Sequence, residues 1–163
     1  MNTREILLIG LLATLAFWKR GEIVTTAGKI TRGISRGLRN NNPGNIRHSS
    51  AAWMGKAVAQ TDDEFVTFSE AAYGLRALGV TLRTYFNKHK LRTVRGIINR
   101  WAPPNENNTV VYINNVAKAL QVEPDSPLDF NRQLPSLMAA IIKHENGSQP
   151  YSMNTIRQAI AMM

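Results

Sequence analysis

The sequence predicts a mainly α domain with a small β element (α+β), preceded by an apolar N-terminal helix able to sit in a membrane. Three observations predict it. An uncharged run of thirteen residues, Ile6 to Trp18, stands near the start of the chain. Dense turn chemistry follows at Asn40-Asn41-Asn42-Pro43-Gly44-Asn45. Helical periodicity then dominates from residue 69 to the end, with one short alternating stretch before it.

As a helix, Ile6–Trp18 spans about 20 Å at roughly 1.5 Å per residue, whereas a full crossing of the hydrocarbon core takes about 20 residues. The run reads as a short transmembrane anchor over residues 1–20. Trp18 would lie at the interface, with Arg4, Lys19 and Arg20 reaching for the headgroups. A signal peptide and a core helix are the alternatives. No small-x-small cleavage site follows the run, and it lacks the polar face of a helix at the edge of a small domain. Residues 21–36 form a basic linker. Lys29, Arg32, Arg36 and Arg39 recur on one helical face and Ile30, Ile34 and Leu38 on another, the pattern of a membrane-surface helix. Gly28, Gly33 and Gly37 favour a flexible tether instead.

The net charge is +9, and residues 1–48 carry eight Lys/Arg against two acids while residues 49–163 carry twelve against nine. A basic N-terminal third suits a polyanion: anionic lipid, nucleic acid or an acidic cell-wall polymer. With no cysteine, disulfides and thiolate metal sites are excluded. His48, His89 and His144 lack metal-ligand spacing, and no phosphate-binding loop, dinucleotide fingerprint or nucleophile elbow occurs. No metal or cofactor is expected.

Residues 37–163 form the folded domain. Residues 57–68 predict a β-hairpin turning at Thr61-Asp62-Asp63. Ser69 is positioned to cap a helix carrying Tyr73, Leu78, Leu82, Tyr85 and Phe86. Thr93 opens a helix to Trp101, stopped by Pro103-Pro104, and Thr109 opens another to Leu120. Leu134–His144 and Asn154–Met162 supply two more.

The segment QLPSLMAAIIKHENG carries the chemistry. Leu134, Leu137, Met138, Ile141 and Ile142 form one apolar stripe, and its next position is Glu145, just before an Asn146-Gly147 helix stop. A carboxyl on the core side of a last helical turn is disfavoured as an anion by desolvation and by the helix dipole. A proton-bearing carboxyl is what glycoside cleavage asks of its general acid. The plainer reading is a solvated acid at a frayed helix end. Glu64 and Glu70 are candidates for a second carboxylate, as are Asp62, Asp63 and Glu106; singly, each reads more simply as a surface acid. Trp53, Tyr73, Tyr85, Trp101, Tyr112 and Tyr151 can line a sugar cleft or fill the core.

The runs RGLRNNNPGNIRHSSAAWMGK, DDEFVTFSEAAYGLRAL, TVRGIINRWAPPNENNT and IIKHENG, in that order, resemble a family of small phage virion proteins with a peptidoglycan-lytic role. The resemblance covers about residues 37–151. Asn-Pro-Gly-Asn-Ile-Arg, then Trp-x-Gly-Lys and Glu-Phe-x-x-Phe, is also similar to the flagellar and autolysin-type glucosaminidases, whose fold is lysozyme-like. There the catalytic Glu precedes this segment; here the matching context, AAIIKHENG, follows it, so the resemblance implies a circularly permuted order with Glu145 as general acid/base. It further implies that Asn42 and Asn45 hold substrate amides and that Arg47 and Trp53 meet sugar or stem peptide, with Tyr73 and Tyr151 as further substrate contacts.

The expected function is a virion-associated lytic transglycosylase cleaving the MurNAc–GlcNAc bond, with peptidoglycan strands, a lipid membrane through residues 6–18 and other virion proteins as partners. A structural virion protein with a degenerate site and a nucleic-acid-binding ejection factor are the alternatives. More Lys/Arg follow the apolar run than precede it, which in a host membrane keeps the following domain cytoplasmic. A membrane inside the virion carries no such constraint.

Overall fold

The computed structural model describes residues 34–105 and 108–163. The apolar run 6–18, the linker up to residue 33, and Glu106 lie outside the described residues. Among the described residues no helix is long and apolar enough to cross a membrane. Ser35–Met163 is one compact unit, so the domain begins two residues before the boundary drawn from sequence.

Six helices order this unit: α1 (Arg36–Arg39), α2 (Ala71–Asn87), α3 (Val94–Trp101), α4 (Thr109–Leu120), α5 (Phe130–Asn146) and α6 (Met153–Ala161). α5 is the hub and packs against α1, α2, α4 and α6. The reason is its stripe: Leu134, Leu137, Met138, Ile141 and Ile142 are all buried. Each such side chain stabilises the fold by roughly 1.5–3 kcal/mol. Leu75, Leu78 and Leu82 of α2, Ile97 and Ile98 of α3, Ile113 and Val116 of α4 and Ile156 of α6 complete that core.

Helix starts differ from expectation by a residue or a turn. Thr93 caps α3 as expected, accepting from the Gly96 N–H. Ser69 does not cap α2; its hydroxyl donates to the Gly55 carbonyl, and Glu70 takes the cap position. Asn108 caps α4, because the Thr109 hydroxyl is spent on the Ala102 carbonyl. α5 starts a turn early at an Asp129 cap and carries Pro135 inside it, which offers no N–H to the carbonyl of the exposed Asn131.

Residues 57–68 form no strands, although their ends pair, the Ala57 N–H donating to the Thr67 carbonyl. Phe65 bridges Arg47 and Phe68 bridges Lys56, both antiparallel and both isolated. Residues 64–66 pair instead with residues 46–48, the His48 N–H donating to the Glu64 carbonyl and the Val66 N–H to the Ile46 carbonyl. Gln60 completes the ladder with its side chain, donating to the Thr67 carbonyl and accepting from the Thr67 N–H. A second small core of Val66, Phe68 and Ala77 lies under this loop region, with Ile46, Trp53 and Tyr73 packed on it.

The asparagine-rich segment is wired in residue by residue. Asn40 donates to Asp62, and Asn41, at φ 51°, donates to the Phe68 carbonyl. Asn42 donates to the carbonyls of Ile46 and Val66 and accepts from the Ile46 N–H. Gly74 of α2 meets this segment so closely that a Cβ there would lie 1.9 Å from the Asn41 carbonyl oxygen. Arg36 clamps the other side, with Nε 2.6 Å from Asp62 and Nη1 2.6 Å from Glu64. Arg36 therefore belongs to the domain and not to a basic face turned to lipid.

Candidate active site

Glu145 sits in the last turn of α5, half-buried, where the apolar stripe gives way to polar partners. Three donors converge on it. Trp101 Nε1 at 3.0 Å and the Tyr112 hydroxyl at 2.9 Å donate to Oε1, and Asn45 Nδ2 at 2.9 Å donates to Oε2. They come from the end of α3, the start of α4 and the Asn-Pro-Gly-Asn turn. The turn is held against α5 by Asn146, which donates to the Pro43 carbonyl at 2.8 Å and accepts from the Ser35 hydroxyl at 2.6 Å. Asn45 itself adopts φ 48°, a left-handed conformation that asparagine tolerates.

Glu145 opens onto a cleft of about 500 Å³ lined by Asn45, Arg47, Phe65, Thr81, Tyr85 and Trp101 among others. Tyr85 and Trp101 meet edge to face at 6.2 Å, and Arg47 lies over the Phe65 ring at 5.3 Å. Both walls thus combine an aromatic face with polar groups, which suits a ligand with apolar ring faces and hydroxyl edges. Among the described lining residues Glu145 is the sole carboxylate.

Burial, and then the Glu145 charge, push the Tyr112 phenol well above its ordinary value, so Tyr112 stays a neutral donor. Behind it, His144 stacks on the Tyr112 ring at 3.5 Å; burial pulls the imidazole below its ordinary value and Glu145 opposes this.

Of the residues expected in the site, Glu145, Asn45 and Arg47 line the cleft together. Asn42 does not: it is 0% exposed and its amide is consumed by backbone groups. Trp53 and Tyr73 pack on the small second core, and Tyr151 packs on the main one. Glu64 is exposed and bound to Arg36, and Glu70 heads α2; neither lines the cleft. Trp101 and Tyr112 appeared in the sequence only among aromatics with two readings. Nothing local to either marks it as a carboxylate donor, since the pairing spans 44 and 33 positions.

No family model matches the chain. Over 127 residues it is 41% identical to Protein P5 of Pseudoalteromonas phage PM2, an alignment spanning 76% of this chain and 79% of that protein. The chain belongs to the family of this phage protein.

Proposed function

We propose that the domain cleaves the glycan of bacterial peptidoglycan as a virion-associated enzyme of lysozyme-like design, with Glu145 as its single acid/base. The observation that carries this reading is a carboxylate on the floor of an open cleft, held by three neutral donors, with no second carboxylate among the described lining residues. One carboxyl fits lytic transglycosylation better than hydrolysis, which ordinarily uses two. Oε1 accepts two hydrogen bonds and Oε2 one, so Oε2 keeps a lone pair for a proton. That proton passes to the glycosidic oxygen as the bond to the MurNAc C1 breaks. The 6-hydroxyl of the same sugar then bonds to C1 and returns its proton to Glu145, leaving a 1,6-anhydro end. Asn45 fixes the carboxyl's orientation, and Trp101 both donates to it and walls the cleft. The phage relative supports a place in a virion, and the run 6–18 would tie the domain to a membrane.

The test is digestion of purified peptidoglycan by the full chain, with mass spectrometry of the products. Anhydro-ended fragments are expected. Glu145→Gln should lower turnover at least about a hundredfold, since general acid catalysis contributes roughly 10²–10⁴. Reducing ends would make it a hydrolase with a second acid. No cleavage between about pH 4 and 8, a span that starts near the ordinary Glu value, would favour a structural virion protein.

A further inference from the structure

Tyr85 lines the cleft, and basic side chains gather around its ring. The Arg100 guanidinium carbon lies 5.2 Å from the Tyr85 ring centroid. His89 meets the same ring edge-on at 6.1 Å. Arg100, His89 and Lys88 are all exposed. Among the described residues neither Arg100 nor Lys88 forms an ion pair. Other arginines of the domain are neutralised: Arg36 by Asp62 and Glu64, Arg95 by Asp125. Glu145 forms no ion pair with Arg100; its oxygens take Asn45, Trp101 and Tyr112 as partners.

An arginine stacked on an aromatic ring is partly immobilised before any ligand arrives, so less freedom is lost on binding. Its planar fork matches a carboxylate with two parallel hydrogen bonds. Tyr85 is itself braced edge-on by Trp101, whose indole is tied to Glu145. Arg100 therefore stands beside an aromatic side chain that lines the same cleft as Glu145.

We propose that Arg100 binds a carboxylate carried as a side branch by the glycan in the cleft, and so selects carboxylate-bearing chains over neutral chains of the same backbone. This rests on the reading of the cleft as a glycan site. Lys88 and His89 extend the same basic rim and add attraction without the bidentate geometry. The cleft walls supply affinity for sugar rings, and Arg100 supplies the choice among them.

The experiment uses the full-length Glu145→Gln chain in detergent, so that ligands are bound and not turned over. Calorimetric titration compares a soluble peptidoglycan fragment with the same fragment methyl-esterified at its carboxylates, and with an N-acetylglucosamine oligomer of equal length. The free-acid fragment should bind roughly ten- to a hundredfold tighter than the ester, the usual range for a charge-assisted contact. Adding Arg100→Gln should bring the two to the same affinity, while Arg100→Lys recovers part of the difference. Lys118→Gln, outside the cleft lining, should change nothing. Equal binding of acid and ester by the Arg100-intact protein overturns the proposal, as does an unchanged preference in Arg100→Gln; in both cases the glycan reading stands. If none of the three ligands binds, the glycan reading itself fails and the role of Arg100 falls with it.

Discussion

Asn42 and Asn45 are three residues apart in one turn and have opposite fates. Asn45 reaches the cleft and holds Glu145; Asn42 is sealed beneath it with every amide group in use. The sequence marks both as turn formers, and nothing in residue type or spacing separates them. What separates them is which side of the turn α5 covers, a fact about tertiary packing. Asn42→Ala takes these partners from the buried Val66 carbonyl and the Ile46 N–H, while the Ile46 carbonyl keeps the Val66 N–H, and each lost partner costs roughly 1–3 kcal/mol. A loss of about 3 kcal/mol is expected, read as a lowered melting temperature with glycan binding by the remaining folded protein intact. Unchanged stability with lost binding would return Asn42 to the site. Glu145 was legible because its stripe was: five apolar positions in register, all found buried, point to it as the sixth. Its donors were not legible, since Trp101 and Tyr112 come from other helices.

At the level of elements, helices with strong apolar periodicity stood where expected, and the β element was reduced to isolated antiparallel bridges. The Thr61-Asp62-Asp63 cluster looks like a hairpin turn, yet Asp62 serves a different purpose. Its carboxylate takes both Nε and Nη2 of Arg36 and the Nδ2 of Asn40, tying α1 to the loop. Its Oδ1 also accepts the N–H groups of Glu64 and Phe65, shaping the bend locally. The Arg36 hydrogen bond, aided by Asn40, holds the Asp62 carboxyl well below the usual carboxylate range, against the opposing effect of burial. A carboxyl whose folded-state value lies below its unfolded one stabilises the fold above the unfolded value, about pH 4. That contribution is lost as the pH falls from there toward the folded value. Asp62→Asn should therefore melt below wild type at neutral pH, with the gap closing under about pH 4. A gap constant with pH would assign the effect to packing.

For the molecule as a whole, the sequence reading separates an apolar and basic N-terminal stretch from a folded remainder, and Ser35–Met163 is a compact unit by itself. The expected boundary fell late because Arg36 was grouped with the basic residues before it, although its partners lie 26 and 28 positions downstream. A chain starting at Ser35 should unfold in one cooperative transition at the melting temperature of the full chain. It should also lose flotation with anionic vesicles, which the full chain should show through residues 6–18 and the basic stretch after them. A truncated chain that aggregates would mean that the apolar run packs into the domain. A truncated chain that still floats would move the lipid contact onto the domain itself.

The hydrogen bonds around the cleft floor join the two ends of the domain. Ser35 meets Asn146 across 111 positions, Pro43 meets Asn146 across 103 and Asn45 meets Glu145 across 100. Closing loops of that size costs entropy that only the finished packing repays. During synthesis the amino-terminal wall of the cleft waits for about a hundred further residues before its carboxylate leaves the ribosome. No chain that stops short of Glu145 holds the constellation, so whatever chemistry Glu145 performs waits on the long-range packing that brings Asn45, Trp101 and Tyr112 to it.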